Sequence, residues 1–162
     1  MMMQSKLRML MGLVLAGMIG SAEVQAADVE KARILSEGIK RAKTIVDRAI
    51  FAAHGTESLD DSESVLENDA VALPIYMQAS SSLGNAAVHA DQSVASFLTG
   101  NIAFGNYSFS VACAKMGIGR SQVSRANFAA LLPPAGFLTA FGPDLTELVT
   151  ELGLLKLTVG CP

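Results

Sequence analysis

The chain predicts an α+β domain, in which a long N-terminal amphipathic helix and several shorter helices pack on a small antiparallel sheet held by one disulfide. Three observations lead there. Apolar residues recur at alternating spacings of three and four from Ala32 to Ala53, the period of one helix face. Tyr107, Phe109, Val111 and Cys113 alternate with small residues, the period of a strand. Leu155, Leu157, Val159 and Cys161 repeat that alternation, so both cysteines end apolar strand faces.

The chain opens with the pattern of a secretory leader. Lys6 and Arg8 give a basic start, Met9 to Ile19 is an apolar run, and Val24-Gln25-Ala26 supplies the small-residue cleavage pattern. Residues 1–26 are therefore expected to be removed and residues 27–162 to form a single mature domain. The apolar run is too short for a helix across a hydrocarbon core, which takes about twenty residues, so no stable transmembrane segment is expected after processing.

Val29 to Ala53 is the strongest periodic segment. Ala32, Leu35, Ile39, Ala42, Val46, Ala49 and Ala53 fall on one stripe, and Lys31, Arg33, Glu37, Lys40, Arg41, Lys43, Asp47 and Arg48 fill the other faces. Ile34, Ile45 and Ile50 widen the stripe enough for it to serve as a partner-binding face. Gly55 ends this helix. Six carboxylates follow between Glu57 and Asp69, where Ser58 and Asp61 resemble a capping box and a short helix over 59–72 would close at Pro74. The helical period returns beyond Pro74 and breaks at Gly84. A helix over 86–99 then carries Ala87, Ala90, Val94 and Phe97, with Gly100 as its left-handed cap. Ile102 and Phe104 lead through Gly105-Asn106 into the strand at 107–113 as a small hairpin. Helical patches at 124–132 and 144–152 precede the last strand, the first stopping at Pro133-Pro134 and the second at Gly153.

Composition narrows the function classes. The net charge is -3, and removing Lys6, Arg8 and Glu23 leaves ten basic against fourteen acidic residues, a balance that argues against nucleic acid as partner. Hydrophobic residues make up 51% of the chain while Trp is absent, so the core must rest on Ala, Leu, Val, Ile and Met. Cys113 and Cys161 are the only two cysteines, and in an oxidising compartment they are expected to pair.

Catalytic patterns fail residue by residue. Gly119-Arg120-Ser121-Gln122-Val123 lacks the second glycine of a nucleophile elbow, and Gly117-Ile118-Gly119 breaks off before the third glycine of a dinucleotide loop. The acidic run has no D-x-D-x-D-G order for calcium. His54, Glu57, His89 and Asp91 are weak candidates for a metal site, since both histidines lie near helix ends, but nothing in their spacing demands one. No cofactor is expected, and catalytic residues are not identified. Met77, Phe97, Phe128 and Phe137 would line a pocket if the protein carried an apolar ligand.

The basic start, Gly12, the apolar run and the long helix, with two cysteines enclosing the C-terminal part, resemble the layout of type IV pilins. That resemblance implies a pilin-like subunit. The sequence departs from it at Gly17, where those proteins carry a glutamate. The leading expectation is an exported, non-enzymatic accessory or interaction protein of the periplasm or extracellular space, whose partner is another exported or envelope protein. A small apolar-ligand carrier is the alternative, ahead of the pilin-like subunit and a small metal-dependent hydrolase.

Overall fold

A computed structural model describes residues 25–26, 28–51, 63–130 and 138–162, without the side chains of 63–70, 130 and 138–143. The described residues form four helices: α1 over residues 28–51, α2 from Glu63 to Leu98, α3 from Ile102 to Ala130 and α4 from Leu138 to Val159. No strand occurs among them, which overturns the expected α+β sheet.

α1 follows its stripe. Ala32, Leu35, Ile39, Ala42, Val46 and Ala49 are all buried, Ile45 and Ile50 pack against the same core, and Ile34 stays partly exposed. Ala53, at the end of the stripe, lies outside the described residues.

α2 merges what the sequence divides. It runs without interruption through Pro74 and Gly84 for 36 residues, absorbing the helix expected over 86–99. A proline inside a helix removes one backbone hydrogen bond and costs about 3 kcal/mol. Pro74 lies on the exposed side, and the buried stripe Ala72, Tyr76, Ala79, Leu83, Ala86 and Ala90 continues past it, offsetting that cost. Gly84 lies beneath the stem of Lys43, whose Cε is 3.3 Å from where a β-carbon on residue 84 would sit. α2 ends as expected at Gly100, with φ +78°, where the amides of Gly100 and Asn101 reach back to the carbonyls of Phe97 and Ser96 at 3.1 and 2.9 Å. The Asn101 side chain then accepts from the Phe104 amide and caps α3.

Both expected strands are helix. In α3 the buried positions are Gly105, Ser108, Ala112, Cys113, Met116, Gly119, Val123 and Ala126, a helical stripe that is small at its start. The residues that gave the alternation fall outside it or at its edge: Tyr107 is exposed and Phe109 and Val111 are half-buried. Small residues face inward because the helices approach closely there. A β-carbon at Gly105 would meet the Phe97 ring at 2.5 Å, and one at Gly119 would meet Leu83 at 2.9 Å. The hairpin turn read at Gly105-Asn106 is the first turns of this helix. In α4 the stripe is Leu145, Leu148, Leu152 and Val159, with Leu155 packed beside it, while Leu157 points outward. Gly153 does not stop α4, and the patch expected over 124–132 is the end of α3 as far as Ala130.

The contacts define an up-down-up-down bundle. Ser36 and Lys40 of α1 reach Asp91 of α2 at 2.5 and 2.8 Å, and farther along α1 Asp47 meets Ser80, so the two helices run antiparallel. The Ser93 hydroxyl donates to the Gly105 carbonyl at 2.9 Å, and Tyr76 donates to Asn127 Oδ1 at 2.7 Å, which sets α3 antiparallel to α2. Asn127 passes the link on by donating to the Leu145 carbonyl at 3.0 Å, while Arg120 Nε donates to the Val149 carbonyl at 2.8 Å. Burial pushes the Tyr76 hydroxyl well above the usual phenol range, so it is a proton donor to Asn127 throughout the ordinary pH range. Residues Gly160 and Cys161 repeat the α2 ending, with φ +70° at Gly160, and turn Cys161 toward α3.

Candidate functional site

Among the described residues a concavity opens between α1 and α4. Gly38 and Ala42 carry little side-chain volume at the centre of α1, and Leu148, Leu152 and Leu155 cross opposite them on α4. A groove of about 480 Å³ results. At Gly38 the two helices come close, and a β-carbon there would lie 2.5 Å from Leu155 Cδ2. A glycine in a helix interior costs roughly 0.5–1 kcal/mol relative to alanine. Its place here is explained by the leucine lying on the α1 backbone.

The groove has an apolar floor and a charged rim. Ala42, Leu148, Leu152 and Leu155 form the floor, Ile34 and Leu154 stand partly exposed at its edge, and Glu37, Arg41 and Glu151 line the sides. None of these three charged residues has an ion-pair partner among the described residues. By contrast, the charged residues of the α1–α2 seam are paired. Asp91 receives Ser36 and Lys40, and Asp47 receives Lys43 and Ser80. Partial burial opposes ionisation of both carboxylates, but the hydrogen bonds and the lysine charges outweigh it and hold them below the usual carboxylate range. The seam is thus a structural clamp, and the α1–α4 side keeps its charges available to a ligand.

Cys113 and Cys161 are joined as expected, with Cα atoms 5.6 Å apart, although Cys113 lies within α3 and Cys161 just past the end of α4 rather than on strands. The weak metal candidates do not assemble. His54 and Glu57 lie outside the described residues, His89 is half-buried on α2 with no partner at Nδ1 among the described residues, and Asp91 is occupied by α1. No group of three or more metal-ligating residues occurs among the described residues. The expected apolar pocket does not form from its proposed lining either. Phe97 is buried, Met77 and Phe128 face outward, and Phe137 is outside the described residues.

Sequence reading passed over Gly38, Leu154, Leu155 and Thr158 as site residues. The available signal was a glycine in the middle of the most regular helix of the chain. The second half of the site was hidden by ending the helix over 144–152 at Gly153 and reading the rest of α4, from Leu155, as a strand. The chain matches no protein-family model, no curated protein and no solved structure.

Proposed function

We propose that the protein is an exported, non-enzymatic accessory protein of the periplasm or extracellular space, which binds another exported or envelope protein by seating one of its helices in the α1–α4 groove. The observation that carries this reading is the groove itself, an apolar floor between two antiparallel helices with charges on its rim that have no ion-pair partner among the described residues. An amphipathic helix fits such a surface by laying residues at i, i+3, i+4 and i+7 on the floor. Glu37 and Glu151 then favour basic residues along its flanks, and Arg41 an acidic one. The bridge between Cys113 and Cys161 supports export, because disulfides persist in oxidising compartments. The leader pattern of residues 1–26 supports the same compartment.

The test is capture of the exported protein from its native extracytoplasmic fraction, with mass spectrometry of bound proteins and small molecules. A partner retained by the parent and lost with Leu154→Asp supports the reading. Retention by that variant overturns it. The groove volume also falls within the range of about 300–1,000 Å³ for small-ligand sites, so recovery of an apolar small molecule instead would establish the carrier reading. Intact mass of the same sample reports the N-terminus: a start near Ala27 supports export by cleavage, and a start at Leu13 supports the pilin-like subunit.

A further inference from the structure

One exposed column of α1 is its own electrostatic complement. Glu30, Glu37, Arg41 and Arg48 are spaced seven, four and seven apart, which keeps them on one face of the helix, and all four are exposed. None of them has an ion-pair partner among the described residues. Glu37 and Arg41 stand at the spacing that pairs charges within a helix, and Lys43 and Asp47 at the same spacing do pair, yet Glu37 and Arg41 stay apart. The helix dipole favours an acid near the start of a helix and a base near its end, but its influence fades within a turn. It accounts for Glu30 and Arg48 and not for the two central residues.

The outer pair, Glu30 and Arg48, and the inner pair, Glu37 and Arg41, are both centred on Ile39. An antiparallel second copy whose two-fold axis passes at the level of Ile39 therefore sets Glu37 against the partner's Arg41 and Glu30 against the partner's Arg48, and symmetry makes each pairing twice. In that register no two like charges of α1 fall opposite one another, and no other antiparallel register pairs all four residues with opposite charges. The column borders the α1–α4 groove. Glu37 and Arg41 line it, and Ile34 and Leu154 stand 38% and 59% exposed at its edge, where a seated helix would take them out of water. We infer that the groove seats α1 of a second copy, so that the protein is an isologous dimer in which each α1 lies along the other's groove. This inference rests on the reading of the groove as the seat of a helix, and it names that helix.

The test is sedimentation of the purified protein across a concentration series, with circular dichroism melts to show that each variant folds. The parent is expected to be a dimer. Glu37→Arg or Arg41→Glu sets like charges against each other twice and should raise the dissociation constant of the dimer at least about tenfold. Combining Glu37→Arg with Arg41→Glu in one chain makes every pairing opposite again and should restore the dimer. An equimolar mixture of the two single variants should also associate, because a copy with two basic residues at the centre then meets a copy with two acidic ones. A monomeric parent overturns the inference, as does a dimer that either single variant leaves intact, a folded double variant that stays monomeric, or a mixture that does not associate. A monomeric parent that still captures a foreign protein, and loses it with Leu154→Asp, removes the second copy as occupant and leaves the groove as a helix seat; absence of both dimer and captured protein removes both.

Discussion

Leu155 of α4 lies on the backbone of Gly38 of α1, so close that a β-carbon on residue 38 would fall 2.5 Å from its Cδ2. This contact closes the bundle between its first and last helices, and the space beside it is the groove. The obstacle to a side chain at 38 is the end of a flexible leucine that borders open space.

Gly38 and Gly105 should therefore respond differently to the same change. Gly38→Ala should alter stability by less than about 1 kcal/mol, because Leu155 can turn into the groove and alanine gains helix propensity. Gly105→Ala should cost about 1–3 kcal/mol, because its β-carbon meets the ring of Phe97, a buried, rigid side chain rather than the flexible end of a leucine. Denaturant melts of the two variants check this. Equal destabilisation would show that Leu155 is as rigidly held as Phe97.

The α1 stripe should be intolerant of charge. Ile39 and Val46 are fully buried, and an aspartate at either position has no partner there. Leaving a carboxylate unpaired in such a seam costs several kcal/mol against a usual total stability of about 5–15 kcal/mol, so Ile39→Asp or Val46→Asp should prevent stable folding. Arg48→Ala on the exposed face should change stability by no more than about 0.5 kcal/mol. Thermal melts followed by circular dichroism distinguish these outcomes.

The sequence made α1 legible because its stripe is built of residues whose size and hydropathy agree with their burial. It failed for α3 because Gly105, Ser108, Ala112 and Gly119 are inward by virtue of being small, and a hydropathy pattern weights Tyr107 and Phe109 instead. The alternation at 107–113 recorded which residues were large, not which were buried. In α4, Leu155 and Val159 lie four apart and belong to the helix face, and exposed Leu157 between them imitated a strand. Pro74 and Gly84 were read by local propensity, which the continuous buried stripe of α2 overrides. The disulfide survived the wrong elements because pairing two cysteines requires only that their backbones meet. The groove was not legible, since Leu154, Leu155 and Thr158 line it only once α4 is known to continue past Gly153.

The two clamped aspartates predict an acid-labile α1–α2 seam. Asp47 and Asp91 have folded pKa values below the ordinary 3.8, so they add stability above that value and lose it as pH falls through the lowered ones. Stability should decline from about pH 4 downward. Asp47→Asn with Asp91→Asn should flatten that decline while lowering stability at neutral pH. The lysine side chains and both carboxylates are substantially exposed, so each pair is worth no more than about 1 kcal/mol. Melts across the acid range in the parent and the double variant measure the difference.

The bridge between Cys113 and Cys161 spans 48 positions and fastens the end of α4 to the middle of α3. In the unfolded chain it closes a loop of that length, which by the usual entropy argument gives a typical net stabilisation of about 2–4 kcal/mol. The folded chain is prepared for it on the α4 side, because the left-handed Gly160 returns Cys161 toward α3 after the last helical turn. Cys113→Ser should therefore cost about 2–5 kcal/mol, and Gly160→Ala should also destabilise, since alanine is strained at φ +70°. Reduction of the parent should lower its melting temperature toward that of Cys113→Ser and leave the variant unchanged. Thiol titration of the unreduced, denatured parent should find no free cysteine, and two free thiols there would remove the bridge from the account of its stability.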